Sequence, residues 1–489
     1  MSSPTPSASE WFPNHAHYPQ VCHFADDKPH LLLLTTDDDH YSIYSGVFRV
    51  TEAHRLKSSL GIVVAPYVEG GPYPEMAPPY PSWVELREAF LAGHGIVMHG
   101  YNHTRELWLT DANASAETRR AIRRQFDLSR QGIFERLTQH PIITMWPCWS
   151  LDHIRRGHGD VGRDAGYVYC AQRQQNQVFR HKDLVLPTTP IEVFQNSRDR
   201  WDVHDQLSAD VEAGGCYTHL WGHGTMHKPG DDKALAAQLA KLSNDHAVLS
   251  RVWSTSSERA ARYIIERRFA SVRNWRDEDG VWAYELHISL PPDLPSSLMG
   301  KPIWNAPLTV KHPNMPAEPA RFAYEETPSG LRPLGTRLDR GTLYYNVVPR
   351  GQTIRVSPRP LRDAATKPSM AISAQKLAVT RPCDGQSVRG GAALEILVTV
   401  SDPRAEIVSC QLTLRNQSGT PFTNAFGRRI EDYELPENDW LVGPSGETTR
   451  GLIVYPVEAG YAPGHEFTLI ATAKNAHGES ATVRESVTV

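Results

Sequence analysis

The chain has 489 residues, more than one hydrophobic core usually serves, so about two to four domains are expected. Its formal net charge of −4 gives no electrostatic reason to bind nucleic acid or an anionic membrane surface, and neither partner is expected. No apolar run approaches the roughly 20 residues of a membrane-spanning helix, and six widely spaced cysteines without a CxxC pair argue against a structural zinc knot or a disulfide-dense scaffold.

The segment 30–270 alternates short apolar runs with amphipathic helical patterns, and residues 1–29 form an extension in front of it. This alternation is typical of β/α units around a parallel sheet. Strands are predicted at 31–34, 96–98, 142–145, 167–170 and 216–219. Helices are predicted at 82–92, where Ser82 and Glu85 form a capping box, at 115–137, and from a second capping box of Thr255 with Glu258 to residue 268.

Beyond residue 270, short alternating runs are separated by Pro and Gly every dozen residues or so, which is typical of β domains. We expect two β-sandwich-like domains, one at 271–374 and an immunoglobulin-like one at 375–489, with a linker at 371–375. A sandwich with its own core should be separable from the α/β part.

Two polar segments follow predicted strands directly. The sequence TTDDDH covers residues 35–40 and HGYNH covers 99–103. In an α/β sheet, ligands bind outside the carboxyl ends of the strands. Both segments therefore lie where active sites form.

The residue types in these segments suit a divalent metal ion. His99 and His103 are four residues apart, so a tight loop or a helical turn aims both imidazoles at one point, and one aspartate completes three ligands. Three protein ligands leave positions open for water and substrate, which distinguishes a catalytic site from a closed structural one. Either segment alone is more typical of a solvated turn or a helix surface; their joint occurrence after successive strands favours a site.

The combination resembles the polysaccharide deacetylases, also called the fourth family of carbohydrate esterases. In that family a strand ends in Thr-Phe-Asp-Asp, and residues 35–38 here read Thr-Thr-Asp-Asp. The family motif Gly-His-Glu-Ile-Gly-Asn-His-Thr-Tyr-Ser-His is matched in register by residues 93–103. The resemblance covers roughly residues 30–268. It implies a distorted, incomplete (β/α) barrel of about seven strands with its pocket at the strand carboxyl ends.

The resemblance also implies a role for each matching residue. Asp37 corresponds to the general base, and Asp38, His99 and His103 correspond to the metal ligands. His219, in Tyr-Thr-His, corresponds to the family's general acid, while His223 is the competing candidate for that role. The implied metal is a divalent ion, with Zn²⁺ favoured and Co²⁺, Ni²⁺ or Mn²⁺ as alternatives.

The chain departs from the family pattern near residue 147. The family reads Arg-Pro-Pro-Tyr-Gly where this chain has Met-Trp-Pro-Cys-Trp at 145–149. Pro147 is kept, but the arginine that holds the base carboxylate is lost, which leaves the tuning of Asp37 open. A backbone N–H at Cys148 or Trp149 is the expected oxyanion donor.

One alternative concerns register. Asp38 as base with Asp39 as ligand would also place two neighbouring carboxylates near the histidines. The match to Thr-x-Asp-Asp favours Asp37 as base and Asp38 as ligand.

The expected reaction is hydrolysis of an acetamide, or less favourably an acetate ester, on an acetylated polysaccharide or oligosaccharide. One alternative is an amidohydrolase of small cyclic amides on the same fold. Another is a non-catalytic glycan-binding protein, in which β-domain aromatic residues stack on sugars: Trp282, Tyr284, Trp304, Tyr324, Tyr344 and Tyr345. The resemblance implies a secreted, cell-surface or periplasmic location, although residues 1–10 show no signal-peptide pattern.

Overall fold

A computed structural model describes residues 17–489 except for 39, 70–78, 142, 146–156, 168, 172–191, 194–196, 199–200, 226–230, 290–303, 316–320, 329, 362–366, 380–392, 403–404, 425–426, 439 and 443–446. Up to residue 269 its elements are β1 (Gln20–Val21), a 3₁₀ turn (Ala25–Asp27), β2 (His30–Thr36), a π-helical segment (Ile43–Phe48), α1 (Arg49–Ala53), β3 (Ser59–Ile62), α2 (Ala65–Val68), α3 (Trp83–Leu91), β4 (Gly95–Met98), α4 (Arg105–Leu109), α5 (Ala116–Leu137), β5 (Ile143–Met145), α6 (His158–Asp164), β6 (Tyr169–Ala171), β7 (Glu192–Val193), β8 (Ser197–Arg198), α7 (Val203–Glu212), β9 (Tyr217–Gly222), α8 (Asp231–Asn244), α9 (His246–Leu249), β10 (Val252–Ser254) and α10 (Ser257–Phe269).

The later strands are β11 (Ala270–Glu278), β12 (Val281–Ile288), β13 (Leu308–His312), β14 (Phe322–Thr327), β15 (Gly330–Leu334), β16 (Arg337–Asp339), β17 (Thr342–Val347), β18 (Thr353–Ser357), β19 (Ser369–Leu377), β20 (Ala393–Ser401), β21 (Ile407–Asn416), β22 (Tyr433–Glu434), β23 (Thr448–Val454), β24 (Glu466–Asn475) and β25 (Ser480–Thr488). Among the described residues, no helix combines the length and the apolar character needed to cross a bilayer.

The α/β part is built on a parallel sheet of nine strands. Their order is β7-β6-β5-β4-β3-β2-β9-β8, and β10 pairs with the first residues of β2. Every residue of β2 is buried. Neighbouring strands and covering helices surround a strand inside a parallel sheet, which explains the continuous apolar run of β2. The pairings seen among the described residues do not join β7 to β8, so closure into the expected barrel of about seven strands stays a prediction.

Most predicted elements of this part are confirmed within one or two residues. In α3 the capping box has both bonds, Glu85 N to Ser82 Oγ at 3.1 Å and Ser82 N to the Glu85 carboxylate at 2.7 Å. The second predicted capping box, Thr255 with Glu258, is wrong because the helix cap lies one residue later. The cap of α10 is Ser256, whose side chain accepts from Arg259 N at 3.3 Å.

A first sandwich joins the sheet β1-β13-β17-β16 to the sheet β11-β12-β18-β14-β15. One apolar core lies between them. Strand β1 precedes the α/β part in sequence but pairs with β13, with Gln20 opposite Lys311. The segment 1–29 is therefore more than an extension of the α/β part, since residues 20–21 complete a sheet of the first sandwich.

The aromatic rings that the glycan-binding alternative would use lie mostly in the protein interior. Trp282, Tyr284, Tyr324 and Tyr345 are each at most 3% exposed. The Tyr284 hydroxyl is hydrogen-bonded to that of Tyr345 at 2.7 Å. The structure contradicts a stacking role for these four rings, because their faces are covered by the core.

The second sandwich joins β19-β20-β23 to β22-β21-β24-β25. Strand β19 pairs with β20 along its whole length, from Ser369 opposite Ser401 to Leu377 opposite Ala393. The predicted linker at 371–375 is therefore wrong, because these residues belong to β19, an edge strand of the three-stranded sheet. We place the domain boundary before Ser369; the immunoglobulin-like topology stays a prediction.

The second sandwich packs directly on the α/β part. Leu91 of α3 shares an apolar cluster with Ile453 and Tyr455. Beside it, the half-buried side chain of Glu88 accepts hydrogen bonds from the hydroxyls of Tyr44 and Tyr455. Removing this sandwich would expose both the apolar cluster and Glu88, so we expect a cost in stability, and separability stays a prediction.

Candidate metal centre

Three strands of the parallel sheet, β4, β2 and β9, carry polar residues just after their carboxyl ends. Asp37 and Asp38 follow β2, His99 and His103 follow β4, and His223 follows β9. Strand β3 lies between β2 and β4, and β9 lies on the other side of β2. The carboxyl ends of these strands therefore bring two carboxylates and three imidazoles together, as the sheet rule predicts.

The aspartates are held where β2 stops. Asp37 N donates to Gly222 O at 3.2 Å, which extends the pairing with β9 by one residue. Asp38 then has φ of 68°, a left-handed conformation that Asp and Asn tolerate better than other residues with a Cβ. This turn points the two adjacent carboxylates toward the histidines instead of toward opposite faces.

The loop between His99 and His103 is fixed by its backbone. His99 N donates to Ile62 O at 2.9 Å, and His103 has φ of 43°. Between them, the N–H groups of Tyr101 and Asn102 both donate to Oε1 of Gln125, each at 3.1 Å. Because Gln125 is only 6% exposed, a buried amide on α5 positions both histidines.

Gln125, which holds this loop, lies outside the sequence motifs. It lies on the inward face of α5, between Ile122 and Phe126, and both of these are fully buried. A polar residue within an apolar helix face is the sequence signal that would have found it, since buried polar groups are nearly always hydrogen-bonded.

His223 is placed by the turn that follows β9. Gly224 has φ of 67°, and a Cβ there would lie 2.2 Å from Ser42 Oγ, so glycine is required. Gly224 N donates to Thr36 Oγ1 at 2.6 Å and Thr225 N donates to Ser42 Oγ at 3.1 Å. These bonds attach the His223 turn to the end of β2 and to the residues before the π-helical segment.

The side chains meet around Asp38. Its Oδ1 lies 3.0 Å from His99 Nε2 and 3.6 Å from His103 Nε2, and its Oδ2 lies 3.3 Å from His223 Nε2. Asp37 lies farther out, with Oδ2 4.0 Å from His99 Nε2 and Oδ1 4.0 Å from His223 Nε2. Asp38 therefore contacts all three histidines at close range, whereas Asp37 borders the cluster.

These donors fit a divalent metal ion. The ligand atoms of Asp38, His99 and His103 all lie within 4.8 Å of one another. Two ligand atoms at Zn²⁺ bonding distances in tetrahedral geometry are about 3.4 Å apart, close to the measured 3.0 and 3.6 Å. One carboxylate and two imidazoles suit Zn²⁺ and similar borderline ions.

Burial and charge set the protonation of the ligands. Burial raises the pKa of the Asp38 carboxyl, but the hydrogen bond with His99 and the charges of His99, His223 and His103 outweigh it and hold the pKa well below its ordinary value. Burial, reinforced by His99, lowers the pKa of His103 to about 3. An ionised carboxylate and a neutral imidazole are the forms that bind metals.

The structure does not bring every predicted site residue into this cluster. His219 stands inside β9, in register with Leu33, and its Nε2 is hydrogen-bonded to Thr35 Oγ1 at 2.7 Å. Asp39, Pro147, Cys148 and Trp149 lie outside the described residues. The assigned roles of these five residues stay predictions.

No protein-family model matches the chain, and no curated protein matches it. Among solved structures, similarity is found to an allantoinase, Puue, with 14% identity over 54% of this chain and 97% of that one, and a TM-score of 0.34. A family 4 acetyl xylan esterase from Clostridium thermocellum in complex with a cobalt ion shows 13% identity over 47% and 89%, and a TM-score of 0.29. A polysaccharide deacetylase from Bacillus cereus shows 13% identity over 46% and 91%, and a TM-score of 0.29. All three TM-scores are below 0.5, so the proposed function depends on the site and its motifs.

Proposed function

We propose that the chain is a metal-dependent hydrolase that removes acetyl groups from N-acetylated carbohydrate, with O-acetyl esters as weaker substrates. The observation that carries this proposal is the cluster of Asp38, His99 and His103 at the strand ends, with the carboxylate of Asp37 beside it. The carbohydrate substrate and a location outside the cytoplasm are supported by the motif resemblance at residues 35–38 and 93–103.

Asp38, His99 and His103 would hold the ion, Zn²⁺ being favoured over Co²⁺, Ni²⁺ or Mn²⁺. When bound, a divalent ion supplies Lewis acidity, which polarises a carbonyl and lowers the pKa of water. His99 and His103 are at most 4% exposed, so the surrounding protein shields both imidazoles from bulk water.

Asp37 is our proposed general base. It is 3% exposed and adjoins the ligand set without contacting it closely. It is therefore placed to take a proton from the attacking water. In the resembling family an arginine holds this carboxylate. Here we expect His223, whose Nε2 lies 4.0 Å from Asp37 Oδ1, to take over part of that role, since His99 is assigned to the ion.

His223 is our proposed general acid, in place of His219. An amine leaves poorly without a proton, so amide hydrolysis needs an acid next to the reacting bond. His223 Nε2 lies 3.3 Å from Asp38 Oδ2, beside the ligand set. His219 is four residues earlier in β9 and is engaged with Thr35. The oxyanion donor remains a backbone N–H at Cys148 or Trp149, after Pro147, as predicted from the sequence.

The proposal is tested by acetate release. The full chain, reconstituted with Zn²⁺ or Co²⁺, is incubated with N-acetylglucosamine oligomers, acetylated xylan and a cyclic amide such as allantoin, and product is measured before and after chelation. We expect acetate from the N-acetylated oligomers that stops on chelation and returns with metal. Turnover of the cyclic amide alone would replace this proposal with the amidohydrolase alternative, and full activity after exhaustive chelation would overturn the metal-dependent mechanism.

A further inference from the structure

The two carboxylates of the site each face two sets of histidines. Asp38 presents Oδ1 to His99 and His103 and Oδ2 to His223. Asp37 does the same at longer range, with Oδ2 toward His99 and Oδ1 toward His223. The Asp38 oxygen that faces His223 is therefore a different atom from the one that faces His99 and His103.

We propose that Asp37, Asp38 and His223 form a second divalent-cation site, which shares Asp38 with the first. The ligand atoms of these three residues all lie within 4.8 Å of one another. The Asp38–His223 distance of 3.3 Å and the Asp37–His223 distance of 4.0 Å bracket the separation of about 3.4 Å between two ligands of one tetrahedral ion. This second site rests on the proposed function, because it assumes that the first set binds metal.

The second site binds its ion more weakly than the first. It uses the remaining oxygen of Asp38, whose charge is already shared with the first ion. Two dications about 4 Å apart, the usual spacing in two-metal sites, repel each other. Its two carboxylates partly offset that repulsion and favour oxygen-seeking ions such as Mn²⁺ or Co²⁺ as well as Zn²⁺.

Occupancy of the second site inhibits the reaction. Asp37 is the proposed base and His223 the proposed acid, and neither transfers protons while it ligates an ion. The rate should therefore rise as the first equivalent of metal binds and fall at higher metal concentration. A chain with a single site would instead reach a plateau.

The test is a Co²⁺ titration of the metal-free full chain, with bound metal counted by equilibrium dialysis and the visible spectrum of Co²⁺ recorded. We expect two classes of sites in the wild type, one ion in each. His223→Asn and Asp37→Asn should each retain the tight class and lose the weak one. His204→Asn, at a half-buried histidine paired with Asp245 outside the site, should keep both classes.

Two results would overturn the second site. One is a single ion per chain together with a rate that stays on its plateau at high Co²⁺; the proposed function would survive this result. The other is a weak class that persists unchanged in both His223→Asn and Asp37→Asn, since the weak ion would then lie elsewhere. Absence of any bound metal would overturn the second site and the proposed function together.

Discussion

The side-chain oxygen of Gln125 accepts a hydrogen bond from the backbone N–H of Tyr101 at 3.1 Å, and accepts a second from Asn102 at the same distance. Both donors lie in the loop that joins His99 to His103. The geometry of the two histidines that follow β4 therefore depends on a helix that begins more than ten residues later in the chain.

We expect Gln125→Leu to weaken metal binding by roughly 10- to 100-fold, the range typical of partners that orient ligands. The variant keeps the size of the side chain but leaves two buried N–H groups without an acceptor, which costs about 1–3 kcal/mol each. Metal affinity is measured by competition with a chromogenic chelator. Gln131→Leu, at an exposed position of the same helix, is the matched control. Equal affinities in the two variants would contradict the positioning role.

Asp37→Asn and Asp38→Asn separate base from ligand at adjacent positions. Asparagine tolerates the left-handed backbone of Asp38, so each variant removes charge with little added strain. Asp37→Asn should keep the tightly bound ion while the rate falls by roughly 10²- to 10⁴-fold. Asp38→Asn should lose metal and rate together, and added metal should recover part of the rate. If Asp37→Asn loses the tight ion and Asp38→Asn retains it, the assigned register is wrong, and Asp39 becomes the next candidate.

The acid is identified by comparing leaving groups. An amine needs a proton to leave, whereas the phenolate of an activated aryl acetate does not. His223→Asn should therefore slow amide hydrolysis by roughly 10²- to 10⁴-fold and aryl acetate hydrolysis far less. His219→Asn, which loses the bond to Thr35, should change both rates by a similar factor. A selective loss of amide hydrolysis in the His219 variant would return the acid role to His219.

Glu88 should make stability depend on pH. Burial raises its pKa to about 7, against the lowering effects of Tyr44, Arg49 and Tyr455. The folded chain thus keeps a proton that the unfolded chain loses near the ordinary value of 4.5. This contribution to the free energy of unfolding is complete below pH 4.5 and is lost as pH rises through 7.

Glu88→Gln removes that titration. The melting temperature of the variant minus that of the wild type should therefore increase from pH 4.5 to 7 and then level off. Thermal melts across this range measure the difference. Glu212→Gln, at an exposed glutamate, should show no such trend. A difference for Glu88→Gln that is constant over the same range would contradict the raised pKa.

Deletion of residues 369–489 should destabilise what remains. The truncation exposes Leu91, which is 1% exposed in the full chain, and leaves the Glu88 carboxylate without the hydroxyl of Tyr455. Burial of a side chain of this type contributes about 1.5–3 kcal/mol. We expect a lower melting temperature and loss of soluble protein, compared by thermal melts and by sedimentation. A truncated chain that melts like the full one and cleaves a short substrate at the same rate would show that the sandwich is separable after all.

The sequence by itself determined the residue types of the candidate site and its location on the sheet. The apolar run before Asp37 and the run before His99 predict buried strands, and ligand types placed directly after such strands meet at the sheet edge. The capping box of Ser82 with Glu85 was also predicted, because a cap depends on residues only three apart. Local pattern and local chemistry are sufficient for features of this kind.

Only the tertiary structure decided which histidine joins the cluster. His219 and His223 both follow plausible motifs, and the choice depends on the register of β9 against β2, where Leu33 stands opposite His219. Register is set by pairing between strands that are distant in sequence, so no local pattern contains it. The same reason explains why β1 pairs with a strand of the first sandwich and why Leu91 packs against the second sandwich. In each case the partner lies hundreds of residues away, and its position follows from how the completed core packs.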